Sequence, residues 1–241
     1  IDLDDRILEV EAFNNWRKNV MSSADYWMAV YQYAPNCAFA RERVFKTTLG
    51  LKWQSFLHEG IAPTLPNGKQ AAAQYVTSWK VTHLRSEEDL KKDRSRNINI
   101  MEKHKARGAL DTRMTYYYGK ELFEADKPLE AYPVLLDAAS RSELEVHDRI
   151  LAVQYAAMSA MRMNQFEKAI QLAHQGMQLS PNRAEFYVIC GDSYLRLNQI
   201  KNSIPYYESA KNCNDPESNG QMKGAIFSHE ESYNKWPRLQ L

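Results

Sequence analysis

The chain has 241 residues, 44% apolar and 25% charged, an ordinary globular mixture long enough for one or two hydrophobic cores. Its 31 basic and 30 acidic residues leave a net charge of +1, which argues against a chain-wide field aimed at nucleic acid or anionic lipid. The three cysteines (Cys37, Cys190, Cys213) form no C-x-x-C and suit a reducing cytosol, and no apolar run approaches the roughly 18 residues of a membrane span.

The N-terminus, Ile1-Asp2-Leu3-Asp4-Asp5, lacks Met and reads as if taken from within a longer protein. Residues 8–20 predict a helix, with Ile7, Val10, Phe13 and Val20 on one side. Ala24 to Tyr33, aromatic and β-branched, predicts a strand. Arg41 to Lys46 predicts a second strand after a turn at Pro35-Asn36, and Lys52 to Leu57 a third. Pro63, Pro66, Asn67 and Gly68 mark a loop, and Val76 to Leu84 another strand. Ser86 opens a helix with Glu87, Glu88 and Asp89 in its first turn, where the helix dipole favours acids; it stops at Gly108. Its basic stretch, Lys91 to Arg107, is interleaved with Asp93 and Glu102, so it reads as a solvated face rather than a polyanion site.

Beyond residue 110 the pattern becomes wholly helical and repeats. Glu124 to Ala131, Arg162 to Ala169 and Arg196 to Ser203 superimpose without gaps, each a polar turn followed by an apolar and then a small residue. The small residues Ala131, Ala169 and Ser203 are 38 and 34 apart, and the second spacing is the tetratricopeptide period. Gly119, Leu122, Leu135 and Ala138 follow in register in the first repeat; Ala157, Ala160, Gly176 and Pro181 in the second; Tyr187, Gly191, Tyr194, Tyr207 and Ala210 in the third. Small residues let paired helices approach closely, and large aromatics fill the holes beside them. The tyrosines of this half (Tyr116, Tyr117, Tyr118, Tyr187, Tyr194, Tyr206, Tyr207) are therefore expected in or beside the core. The four extra residues between repeats one and two, around Arg141 to Val146, indicate a lengthened helix or turn. After Pro216, a helix over residues 221–234 is the natural cap for the array. The expected fold is α/β plus all-α: an α/β part over 1–110, three repeats over 111–216, and a capping helix and tail over 217–241.

Three places carry residue types suited to chemistry, each with a plainer alternative. Asp2 and Asp4, at i and i+2, can hold a divalent cation, or simply cap a helix beginning near Arg6. Glu59, beside His58 before a loop, suits a general base, or is a surface pair. His83, at a strand end, can complete a metal site, or is a structural histidine.

The ordered series D-x-D-D, aromatic strand, Arg41-x-Arg43-x-Phe45-Lys46, Gly50-x-x-Trp53, His58-Glu59, His83, Asp93-x-x-Arg96 and Tyr116-Tyr117-Tyr118-Gly119 resembles family 2 glycosyltransferases that carry tetratricopeptide repeats behind a GT-A catalytic domain. The resemblance implies an inverting, metal-assisted transfer from a nucleotide-diphosphate sugar to an unknown acceptor. In it Asp4 and His83 bind Mn or Mg, Asp2 lies near the nucleotide, Glu59 is the base, and Trp53 and His58 shape the donor or acceptor pocket. Arg41 and Arg43 match a basic pair in that pattern, or are a solvated strand edge. Such enzymes bind the nucleotide with a half that precedes D-x-D, expected here in a longer protein or another chain. The other functional class is a non-catalytic tetratricopeptide scaffold beside a remnant transferase domain. Either way the repeats offer a surface for a protein or glycan acceptor or for self-association, with no nucleic acid, no membrane span and a cytoplasmic setting.

Overall fold

The computed structural model describes residues 5–20, 24–34, 37–57, 60–61, 64–83 and 87–213. Among them the chain divides into two compact units, one ending at Glu87 and the other beginning at Glu88.

The first unit is a mixed sheet with one helix. Its elements are β1 (Asp5–Leu8), α1 (Val10–Asn19), β2 (Tyr26–Ala34), β3 (Cys37–Phe45), β4 (Trp53–Gln54), β5 (Gly60–Ile61) and β6 (Ala73–His83). A short 3-10 turn, Thr47–Leu49, follows β3. The main sheet has the order β1-β6-β2-β3. β2 and β3 form an antiparallel hairpin, β6 lies parallel to β2, and β1 runs antiparallel to β6. β4 and β5 pair separately.

The core explains these strands. On β2, Trp27, Ala29 and Tyr31 alternate onto one buried face; on β6, Trp79 and Val81 do the same. A register shift between Ala29 and Val30 brings Val76 onto that face too. α1 covers it with Phe13 and Trp16. Phe13 meets Trp79 edge-on at 5.0 Å, and Trp16 meets Trp27 edge-on at 5.8 Å. Such aromatic pairs each add about 0.5–1.5 kcal/mol beyond area burial.

Several expectations change here. Residues 5–8 are a strand, not the start of a helix at Arg6, because Ile7 packs on the core while the backbone completes the ladder of β6. β3 begins at Cys37 rather than Arg41, and only two residues of the expected 52–57 strand, Trp53 and Gln54, pair. Arg43 is not on a solvated edge: its side chain is 8% exposed and lies 3.8 Å from the buried carboxylate of Asp5.

The second unit is all helix: α2 (Glu87–Ala106), α3 (Thr112–Glu124), α4 (Pro128–Ser140), α5 (Val146–Arg162), α6 (Phe166–Leu179), α7 (Ala184–Arg196) and α8 (Ile200–Asn212). α3–α4, α5–α6 and α7–α8 are hairpins stacked in chain order. Their turns are the same structure three times. Asp126, Asn164 and Asn198 adopt left-handed φ of 58°, 56° and 58°. The N–H of each bonds the carbonyl three residues back, and the next N–H bonds the carbonyl five residues back, as in Asp126 to Phe123 and Lys127 to Leu122. This is the Schellman closure, with Asp or Asn at the position usually held by Gly because their short polar side chains tolerate αL.

Within hairpins, close approach is set by complementary sizes. Gly119 faces Leu135, and Gly191 faces Tyr207. In the middle hairpin the equivalent pair is Ala157 with Ala173, both fully buried. Between hairpins, Phe186 of α7 fills the space over Gly176 of α6. The expected placement of the tyrosines holds for Tyr116, Tyr118 and Tyr207, which are buried. Tyr117, Tyr187, Tyr194 and Tyr206 are half-buried. The four extra residues before repeat two are one added turn at the front of α5, which has 17 residues against 13 in α3 and α7.

Candidate interaction groove on the helical array

Of the residues singled out from the sequence, Asp2, Asp4, His58 and Glu59 lie outside the described residues. Trp53 is in β4 and His83 ends β6. His83 stands directly opposite Asp5, the last acid of D-x-D-D, in the β1–β6 ladder. The carboxylate of Asp5 is nonetheless occupied. It accepts a hydrogen bond from the Tyr31 hydroxyl at 3.1 Å and faces Arg43, whose guanidinium stacks 4.1 Å over the Tyr31 ring. Burial, then the Asp5 charge, pushes the Tyr31 hydroxyl well above its usual pKa. This cluster is structural. Among the described residues no group of three or more His, Cys, Asp and Glu side chains could hold a metal ion.

In the helical unit, charges at the seams between helices are paired. Glu124 of α3 takes Arg94 of α2 at 3.3 Å and Lys120 at 3.5 Å, and Asn97 donates to Glu121 at 2.9 Å. Arg113 of α3 reaches Asp148 of α5 at 3.7 Å and stacks on Tyr117. Burial raises the Asp148 pKa, opposed by Arg113. Arg162 at the end of α5 donates to the Phe123 carbonyl at 2.8 Å and covers its ring at 3.8 Å. Arg183, 2% exposed, donates to Gln154 at 2.7 Å. These contacts lock successive hairpins together.

Arg149 is the exception. It belongs to the added turn of α5 and points with Val153, four residues on, to the same helix face. That face is the floor of a groove of about 430 Å³. α4 forms one wall with Leu136, Ala139 and Ser140; α6 forms the other with Leu172, Gln175, Gln178 and Leu179. Among the described residues the Arg149 guanidinium has no hydrogen bond or ion pair, and its Nε is closed off from solvent without a partner. A buried donor left unsatisfied costs about 1–3 kcal/mol. The nearby front end of α5 has the positive pole of the helix dipole, which disfavours a cation there. The result is an apolar trough with a single uncompensated positive charge. A second groove, about 420 Å³, lies where Lys105, Tyr118, Pro133 and Asp137 meet, but its charged groups have local partners: Lys105 sits over Tyr118 and Asp137 pairs with Arg141.

Sequence reasoning missed Arg149. The signal available was the 38-residue spacing between Ala131 and Ala169, which located an insertion without showing that it was helical.

No family model matches the chain, and no curated protein does. Solved structures with similar coordinates include MamA AMB-1 (16% identity, 52% of this chain and 70% of that one, TM-score 0.45) and MamA MSR-1 (15%, 53% and 70%, TM-score 0.47). Another is the Hsp90 co-chaperone Cns1 of Saccharomyces cerevisiae (15%, 48% and 38%, TM-score 0.41). These findings overturn the resemblance to family 2 glycosyltransferases and the sugar-transfer activity drawn from it. No glycosyltransferase family model matches the chain, and no glycosyltransferase is among the structures that match. The GT-A half of the expected fold has no support; what stands is a helical solenoid and a separate small mixed sheet. No helix among the described residues is long and apolar enough to cross a membrane.

Proposed function

We propose that the chain is a non-catalytic binding module whose tetratricopeptide-type array docks a segment of another protein. The observation that carries this reading is the trough between α4 and α6, floored by α5. Its volume lies in the range of about 300–1,000 Å³ typical of ligand sites. Stacked helical hairpins suit the task, since each contacts only its neighbours and the array presents a long continuous surface. Exposed apolar side chains elsewhere on the array, Leu129 at 76% and Ile200 at 58%, add contact area for such a partner. A cytosolic setting is supported by the free thiols of Cys190 and Cys213.

The test is selection of a random 12-residue peptide library displayed on phage against the full chain. Winners are synthesised and titrated by fluorescence anisotropy. Saturable one-to-one binding, lost on thermal unfolding of the helices, is expected. A folded chain that enriches no peptide overturns the proposal.

A further inference from the structure

Resting on the reading as a protein-binding module, we infer that the trough between α4 and α6 recognises an acidic, leucine-rich type of peptide, with an Asp or Glu carboxylate paired to Arg149. The argument is charge complementarity. The walls contribute Leu136, Ala139, Leu172 and Leu179, which suit aliphatic side chains. The floor contributes one guanidinium, which has no acid or carbonyl of its own among the described residues. Four other arginines at helix seams of this unit have one: Arg94 has Glu124, Arg113 has Asp148, Arg162 has the Phe123 carbonyl and Arg183 has Gln154, while Arg196 stacks over the Phe166 ring at 5.3 Å. A planar guanidinium without an acid of its own favours a carboxylate that it can grip through two parallel hydrogen bonds. Gln175 and Gln178 on the α6 side add amides able to pair with the backbone of an extended segment.

The position of Arg149 agrees with this. Arg149 stands on the turn that lengthens α5, whereas the arginine 34 residues on, Arg183, precedes α7 and is bonded to Gln154. Because the guanidinium makes no hydrogen bond or ion pair among the described residues, replacing it is expected to leave the helices folded.

The experiment uses the peptides selected on the full chain and two variants, Arg149→Gln and Arg149→Glu, with circular dichroism melts to show that both fold. Winners are expected to place Asp or Glu beside Leu, Ile or Phe. Arg149→Gln should weaken them by roughly 30-fold or more, the usual effect of truncating one partner of a buried charge pair. A fresh selection on Arg149→Glu should return Lys or Arg at the position of the acid. Winners that lack an acid, or that bind Arg149→Glu with unchanged affinity, overturn the groove assignment while leaving the binding-module reading intact. The absence of any winner from the folded chain overturns both.

Discussion

Gly191→Ala should destabilise the array, although the same change in an isolated helix stabilises. Gly191 lies in the middle of α7, where alanine is favoured by about 1 kcal/mol on propensity alone. Here a Cβ would fall 2.6 Å from Cε1 and 2.7 Å from Cζ of Tyr207. Ordinary carbon contacts are near 3.5–4.0 Å, so the ring or the helix must give by roughly 1 Å. The ring cannot swing freely: Tyr207 is 1% exposed, and its hydroxyl donates to Asp192 at 2.5 Å. Overpacking of this kind costs about 1–3 kcal/mol, and loss of the hydrogen bond about 1 kcal/mol more. Net of propensity, a loss of about 1–3 kcal/mol is expected, or some 3–10 °C in Tm for a unit of this size. Urea unfolding followed by circular dichroism at 222 nm measures it. The companion is Tyr207→Ala, which together with Gly191→Ala reproduces in hairpin three the alanine pair of hairpin two. Combined with Gly191→Ala it should cost at least about 1 kcal/mol less than the two single changes summed. A rise in Tm for Gly191→Ala, or strict additivity in the cycle, would refute the size-complementarity argument.

Asn198→Ala should cost about 1 kcal/mol by urea unfolding, because φ is 58° there, whereas Asn198→Gly should be close to neutral; equal losses would remove strain as the cause. Burial raises the Asp192 pKa above its usual 3.8, against the opposing bond from Tyr207, so the folded state binds its proton more readily than the unfolded state does. Asp192 therefore lowers stability above its raised pKa, and this penalty fades as pH falls through that value towards 3.8. Asp192→Asn should be the more stable protein at pH 7, with the difference shrinking as the solution is acidified; a pH-independent difference would contradict this. In a Cys37→Ser/Cys213→Ser background, Cys190 should react with a disulfide reagent at pH 8 at least about 100-fold more slowly in the native than in the denatured protein, since burial pushes its thiol up to about 12. Comparable rates would show that the α7 core opens freely.

The helical array was legible because its constraints are local. Period, small residues and turn residues occur within a few positions of one another, and the same Asp or Asn marks every hairpin turn. The sheet was less so. Residues 5–8 look like a helix approach until β6, some 75 positions away, supplies the ladder that makes them a strand. Arg43 looks solvated until Asp5 is brought beneath it by the fold. The trough was invisible for a related reason: Leu136, Arg149, Val153 and Leu172 each fit a helix pattern alone, and only the stacking of three helices makes them walls and floor. The ordered acids and histidines near the N-terminus suggested a chemistry that the comparisons do not support. Asp5, the described member of that acidic run, is engaged by Tyr31 and Arg43.

The extra turn of α5 implies that changes of length in this array come in steps. Four residues rotate a helix by about 400°, so everything after the insertion stays within about 40° of its former bearing. Val153, Ala157 and Ala160 could thus keep their packing partners while a new side chain was introduced one turn ahead of them. An insertion of two residues would instead have turned the buried stripe of α5 to the far side and separated the hairpins. New surface chemistry in such a stack is therefore most readily acquired a whole turn at a time.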